Sequence, residues 1–530
     1  MKNTLKFNNQ YIESHKNKID IFSKNWDINK LANFFSDNYN IDSQTDKDII
    51  KPFTRDWSNI PGGRADLLVR PKTNEECAII LRTCQICKIP ITISAGQTNL
   101  TGSATPNGGV VLSTSQLKTP EIFVDIHEKS VLAPAGIPLE EMRDEVLRYS
   151  NNTLYYPVDP TSRHDAYIGG TLSCNASGFI PGGKGATRYW VKEIELILIS
   201  GYSLVIKRGD YISDKGKFII ECDNETIIMP IPRYKRPKIK NASGPFSSMN
   251  SEIDFIDLII GSEGIFGMIT QCVFSLDSKP KNHLELFLRL ENENKAIELH
   301  QFLYKKFNHD MSKVTALEYF GYNCQTYMKN KDFLFNNEQE VGLYIQVPVY
   351  NDDIDYKTTE WADLLSEFDS NFDLANIIVL NDSTNWKKFF EARHSIPDNA
   401  LTKTRQLGGI SIITDTIVPM GNFKEYLDTI HKKIREYDIE YLLFGHLGDC
   451  HLHFHLIPNT QQNDLCLQVY DYMVDLSAQF GGVYSAEHGT GKRKRNDFKK
   501  CYGEEAVNMV KQSKLAVDPD LLLNKGNVFN

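Results

Sequence analysis

The chain has 530 residues, 41% hydrophobic and 24% charged, enough for two or three domains that each bury a core. Its net charge of −9 leaves no electrostatic footprint for nucleic acid. No stretch approaches a membrane span and the first residues lack an apolar signal core, so the chain is expected in the cytoplasm, free or held at the inner membrane surface.

Residues 1–50 read as a polar helical arm with Ile19, Phe22, Trp26, Leu31 and Phe34 as its packing face. Residues 67–71 then read as a strand. Thr73 and Glu76 form a capping box that opens a helix over 75–87, and 89–94 is the next strand. Cys84 and Cys87 are a lone CxxC inside that helix, and the ten cysteines show no framework spacing, so reduced thiols are expected. A turn of small and polar residues, Ala95-Gly-Gln-Thr-Asn-Leu-Thr-Gly102, precedes strands at 109–113, 122–125 and 130–134 and a helix opened by Pro138.

A second glycine-rich tract spans 156–188. It holds Pro157-Val-Asp-Pro-Thr-Ser162, Ile168-Gly-Gly170 and Asn175-Ala-Ser-Gly178. After a strand at 191–199, the basic run Arg233-Tyr-Lys-Arg-Pro-Lys-Ile-Lys240 reads as a solvated loop, with docking to an acidic partner as the alternative. A third small-residue tract contains Asn241-Ala-Ser-Gly244 and Gly261-Ser-Glu-Gly264. Lys279-Pro280 marks a boundary. Beyond it, strands at 284–290, 341–349, 411–418 and 441–444 alternate with helices at 294–307, 353–368 and 422–436, and a last helix covers 465–480. This is an α+β pattern of long helices over an antiparallel sheet.

Chemistry concentrates near the C-terminus. Phe444-Gly-His-Leu-Gly-Asp-Cys-His-Leu-His-Phe-His455 is answered by Ser485-Ala-Glu-His-Gly489, which places five of the 13 histidines in two short segments. If a strand runs through 441–457, His451, His453 and His455 share a face that His446 reaches from a loop. Histidine with Glu487 suits a borderline divalent ion such as zinc, and His488 stands beside it as a candidate acid/base. The plainer alternative is a strand of half-buried histidines that hydrogen-bond one another. The three glycine tracts suggest backbone amides facing a large, multiply charged ligand. None is GxGxxG between a strand and a helix, and GxxxxGK[ST] is absent, so neither a Rossmann site nor a P-loop is supported.

In this order, the three tracts with Gly445-His-Leu-Gly-Asp449 and Ser485-Ala-Glu-His-Gly489 resemble the FAD-linked D-2-hydroxyacid dehydrogenases of the vanillyl-alcohol oxidase/p-cresol methylhydroxylase superfamily, over about residues 66–529. The resemblance implies a two-lobed FAD-binding domain of the p-cresol methylhydroxylase (PCMH) type at 51–279. A cap domain with an antiparallel sheet would follow at 280–500, with 501–530 returning to the FAD domain. It implies non-covalent FAD. Ala95, Gly96, Gln97, Thr98, Asn99, Leu100, Thr101 and Gly102 would cradle the pyrophosphate. Pro157, Asp159, Thr161, Ser162, Gly169, Gly170, Asn175, Ser177 and Gly178 would lie along the flavin and ribityl side. Glu263, Gly264 and Ile269 would hold the adenine end, and Asn524 would return to the flavin. It also implies His446, His453 and Glu487 as ligands of a divalent metal, His488 as proton acceptor and Arg393 as the partner of the substrate carboxylate.

The chain departs from the family's Gly-Asp-Gly-Asn-Leu-His-x-Asn at Cys450, His451 and His455, and Ile413 stands where a lysine is frequent. The expected reaction is oxidation of a D-lactate-like 2-hydroxy acid, with electrons passed to a quinone, a cytochrome or an electron-transfer flavoprotein and a homodimer left open. The alternatives are a flavin-dependent transferase resembling alkylglycerone-phosphate synthase, or a flavoprotein subunit of a larger redox complex.

Overall fold

The computed structural model describes residues 3–223, 225–351 and 353–530, so the first two residues of the expected arm lie outside it. In the N-terminal half, Val191–Ile197, Met268–Ser275 and Ser130–Pro134 form the centre of a five-stranded antiparallel sheet. Ile194, Leu196, Cys272, Phe274, Val131 and Ala133 point into its core. A four-stranded sheet runs in the order Asp42–Gln44, Leu67–Arg70, Val110–Ser113, Ile91–Ser94, with its last three strands parallel. The helix Asn74–Ile86 crosses over from Leu67–Arg70 to Ile91–Ser94, the two parallel strands that flank Val110–Ser113. The Thr73 side chain caps that helix at the Glu76 amide, and the Glu76 carboxylate accepts from the Lys72 amide, one residue before the expected position. Leu67, Leu68 and Val69 are all fully buried, as a strand covered on both faces requires.

The first fifty residues are woven into this half. Thr4–Phe7 runs parallel to Lys217–Cys222, and Phe22 stacks on Phe34 at 4.2 Å between the two helices of the arm. Ile19, Leu31 and Phe34 are buried, but Trp26 is 37% exposed and stands off the packing face.

The second half is built on a seven-stranded antiparallel sheet. Its order is Ile377–Val379, Asn282–Leu290, Val341–Val349, Ala316–Phe320, Glu440–His446, His451–Ile457, Ile412–Ile413. Period-two alternation gives it two cores. Leu286 and Leu288 join one with the helices Glu293–Lys306, Met420–Glu436 and Asn463–Gln479, while Phe287 joins the other with Phe389, Ala392 and Ile396. The architecture is the expected α+β, with the antiparallel sheet where the alternation placed it. Among the described residues, no helix is long and apolar enough to cross a membrane.

Several elements differ from expectation, among them the helix Arg495–Val517, which follows the one expected to be last. The Ile168-Gly-Gly170 tract begins a helix, Ile168–Cys174, in place of a turn. Its glycines serve close packing: a Cβ on Gly169 would stand 2.9 Å from the Ala135 Cβ. The strand expected over 411–418 is only Ile412–Ile413, because the chain then turns its polar Thr414 and Asp415 toward neighbouring segments. The helix Ser383–Gln406 was not foreseen; it carries Pro397 inside and a largely polar sequence, both of which mask helical periodicity.

Candidate active site

The sheet of the second half sets the reactive side chains by register. Glu440–His446 and His451–Ile457 form a hairpin through a short turn, with Cys450 in the left-handed region at φ 58°. His446 stands opposite His451 across the hairpin and opposite Glu318 of Ala316–Phe320 on its other side. The His451 and His453 rings are 4.5 Å apart. Ile412–Ile413 pairs beyond the hairpin, and Ile417 bridges to Val483, which brings in the segment carrying Glu487 and His488. Asp415 fixes that segment. Fully buried, it accepts hydrogen bonds from the amides of Glu487 at 3.1 Å and His488 at 3.0 Å and from the Lys494 ammonium at 2.9 Å.

Ligand atoms of His446, His451, His453 and Glu487 all lie within 4.8 Å of one another. His446 Nδ1 is 2.6 Å from Glu318 Oε1, and His453 Nδ1 donates to the Thr414 carbonyl at 2.8 Å. Each bond engages Nδ1 and leaves Nε2 as the nitrogen free to meet a metal ion. His446 Nε2 is 3.3 Å from Glu487 Oε1. Lys240 pairs with Glu487 and with Asp449, the latter at 3.3 Å, and its side chain is 3% exposed. The basic run read as a solvated loop therefore ends in the cluster. Two carboxylates and the close turn at Ala242–Gly244, which bonds to Ser485 and Thr490, hold it there.

Burial and charge compete over every group in this cluster. Burial works to raise the Glu318 carboxyl, but His446 and Arg393 hold it down at about 2. Burial opposes ionisation of Glu487 and Asp415 too. Lys240 and His446 hold Glu487 well below the usual carboxylate range, and His488 and Lys494 do so for Asp415. His488 is pushed down to about 4 by burial, against the pull of Asp415. It is neutral at neutral pH, as a proton acceptor must be. Its Nδ1 faces Asp415 Oδ2 at 3.5 Å, and its ring lies parallel to that of His453.

These groups open onto a cavity of about 1210 Å³ between the two halves. Its other wall is made of Ala95 to Leu100, Asp159, Thr161, Ser162, Gly169, Gly170, Ser177, Gly178, Glu263, Gly264, Ile269 and Asn524. Arg393, His446, His453, Glu487 and His488 line the same cavity. Arg393 stacks on Phe179 at 4.7 Å and reaches Glu318 at 3.2 Å.

Four of the proposed cofactor residues stand behind this wall. The Thr101 carbonyl accepts from the Lys492 and Arg493 amides, Gly102 packs on Ile60, and Pro157 is off the surface. Asn175 ends the Ile168–Cys174 helix in the left-handed conformation and accepts from the Arg188 amide. The Glu263 carboxylate, on the cavity wall, is engaged by the Ser103 hydroxyl and the amides of Thr490 and Gly491. Asn524 accepts from the Ile93 amide and donates to the Gly264 carbonyl.

The wall has the chemistry a dinucleotide pyrophosphate needs. The amides of Gln97, Thr98, Asn99 and Leu100 have no hydrogen-bond acceptor among the described residues, and Gln97 adopts φ 58°. Consecutive unpaired amides with a left-handed residue form an anion nest. The donor set across the cavity fits a divalent ion equally: two imidazoles, a carboxylate, and a further imidazole, His451, whose Nε2 lies 3.2 Å from Asp415 and whose Nδ1 is buried without a hydrogen bond. His455, in contrast, is fully buried off the cavity, with Nε2 on the Ser411 hydroxyl.

Sequence reasoning did not find Glu318, Asp415, Lys240 or Lys494. Only Thr414-Asp415, next to the departure at Ile413, carried a signal. Lys240 lay in the basic run, which was read as a loop, and Glu318 and Lys494 come from segments with no motif.

Residues 65–206 match the FAD binding domain, and residues 307–528 match the FAD linked oxidases, C-terminal domain. The chain is 24% identical over 482 residues to the mitochondrial D-2-hydroxyglutarate dehydrogenase of Danio rerio, covering 91% of this chain and 81% of that protein. It is 25% identical over 494 residues to the D-lactate dehydrogenase of Anaerostipes hadrus, covering 91% and 93%. Its fold is that of p-cresol methylhydroxylase with substrate bound, at a TM-score of 0.66 and 13% identity over 98% of both chains.

Proposed function

The chain belongs to the FAD-linked oxidases, an oxidoreductase family, and from that premise we propose that it oxidises a D-2-hydroxy acid to the 2-oxo acid in the cavity between its two halves. The observation that carries this reading is that the amide nest of residues 97–100 and the cluster of His446, His453, Glu487 and His488 face one cavity. Bound FAD supplies a hydride acceptor. His446, His453 and Glu487 would hold a divalent ion, which would supply Lewis acidity toward the substrate hydroxyl. Arg393 orients the substrate carboxylate with a planar fork, braced by Glu318 and Phe179. His488 takes the hydroxyl proton, and Asp415 holds its ring in place. Phe179 from the first half and Phe444 from the second line the cavity beside His446 and add apolar surface that limits water there. Electrons leave to a quinone, a cytochrome or an electron-transfer flavoprotein.

The test is oxidation of D-lactate, D-2-hydroxyglutarate and glycolate with an artificial dye acceptor, before and after dialysis against a chelator, with L-lactate as control. The reading predicts activity with at least one of the three, none with L-lactate, and loss on chelation that zinc, manganese or cobalt restores while FAD stays bound. Full activity in chelated protein would remove the metal from the account.

A further inference from the structure

We propose that His451 is a fourth protein ligand of the divalent ion, reaching it from the protein side while His446, His453 and Glu487 reach it from the cavity. This rests on the metal site proposed above. His451 belongs to the four-residue cluster by distance, yet it does not line the cavity and is fully buried. Its Nδ1 lies 3.8 Å from Glu487 Oε1. Among the described residues it is the one histidine with both ring nitrogens buried and unbonded; His300 and His455 each leave only one in that state. Asp415 lies within reach of Nε2, so Nδ1 is the nitrogen left without compensation for lost hydration unless something binds it.

Its outer nitrogen already has a carboxylate nearby. Nε2 is 3.2 Å from Asp415 Oδ1 but out of line for a hydrogen bond. A small rotation of the ring aligns Nε2–H with Asp415 and aims the Nδ1 lone pair at Glu487 and the ion. All three imidazoles then share one arrangement, with the outer nitrogen on an oxygen acceptor (Glu318, Thr414 or Asp415) and the inner nitrogen on the metal. Lys240 keeps Asp449 as a partner when the ion takes Glu487.

Four protein donors would saturate a tetrahedral ion and close it to substrate. An ion that took these four donors and also substrate would need a fifth or sixth position, which manganese, iron(II) or cobalt(II) would offer more readily than zinc.

The experiment uses FAD-loaded holoenzyme stripped of metal and titrated with cobalt(II), read by calorimetry and by X-ray absorption at the cobalt edge. The wild-type protein is expected to bind one ion with three imidazoles in its shell. His451→Asn, which keeps a neutral polar side chain, is expected to show two imidazoles and a Kd raised by about 100-fold. Flavin content and melting temperature check that the variant is folded. If it is not, the imidazole count in the wild-type protein decides alone: three supports the proposal and two overturns it. An unchanged Kd in a folded His451→Asn protein overturns it and leaves the site of His446, His453 and Glu487 standing. A wild-type protein that binds no cobalt overturns both.

Discussion

The two walls of the cavity are made of different material. The wall proposed to hold the cofactor presents backbone: four consecutive amides at 97–100 unpaired among the described residues, and glycines whose missing Cβ lets segments touch. The opposite wall works through side chains, with four imidazoles, four carboxylates and three cations packed into one network. A backbone site tolerates changes of side chain but not a new Cβ. A side-chain network tolerates small backbone adjustments but not the loss of a charge, because each charge is held ionised by its neighbours against burial.

The sharpest way to break that contrast is to add one methyl group to the cofactor wall. A Cβ at Gly96 would stand 1.8 Å from the Asp165 carbonyl oxygen, backbone against backbone, so the turn must move. Gly96→Ala is expected to purify without flavin, with FAD affinity lowered by more than about 100-fold, whereas Thr98→Ala keeps its yellow colour. The ratio of flavin to protein absorbance reads both. Equal flavin content in the two variants would mean that the wall does not bind through its backbone.

On the opposite wall, His488→Asn is expected to slow flavin reduction by about 10²- to 10⁴-fold, with FAD and metal content unchanged. Single-turnover mixing separates this loss of chemistry from a loss of binding. Arg393→Lys keeps the charge but loses the planar fork, so KM for the hydroxy acid should rise about tenfold with a smaller change in kcat.

The smallest effect concerns pH. Burial, and then His453, push His455 down to about 4 from an ordinary value near 6.5. The unfolded chain binds this proton at a higher pH than the folded one. His455 therefore makes stability rise with pH between about 4 and 6.5, by up to about 1.4 kcal/mol per unit, with the full contribution present above that window. His455→Asn removes one such contribution, and urea midpoints measured across this window should rise less steeply than in the wild-type protein.

The same contrast explains what the sequence made legible. Glycine tracts are contiguous, so the backbone wall could be read along the chain, and its first nest falls where the small-residue turn at 95–102 was placed. Even there Gly169 and Gly170 proved to be helical contacts, because a glycine needed for close approach and one needed for a turn look alike in sequence. The histidines of the opposite wall were visible because four of them lie on one hairpin. Their partners were not. Glu318 arrives from a strand more than a hundred residues away, Lys240 from the other half of the molecule, and Asp415 from a strand that stops early to turn its carboxylate inward. No spacing rule links such residues, since only the tertiary fold makes them neighbours. His451 and His455 looked like equivalent departures on one strand, yet one joins the cluster and the other bonds to Ser411, two positions along the same face.

The central claim is that the two walls act on one substrate in one cavity. Anaerobic mixing of the metal-loaded flavoprotein with a panel of D- and L-2-hydroxy acids tests it most directly. The account predicts that a D-acid bleaches the flavin absorbance in a single turnover and yields one equivalent of 2-oxo acid, and that the matching L-acid does not. A flavin that dithionite reduces fully but no D-2-hydroxy acid bleaches would contradict it.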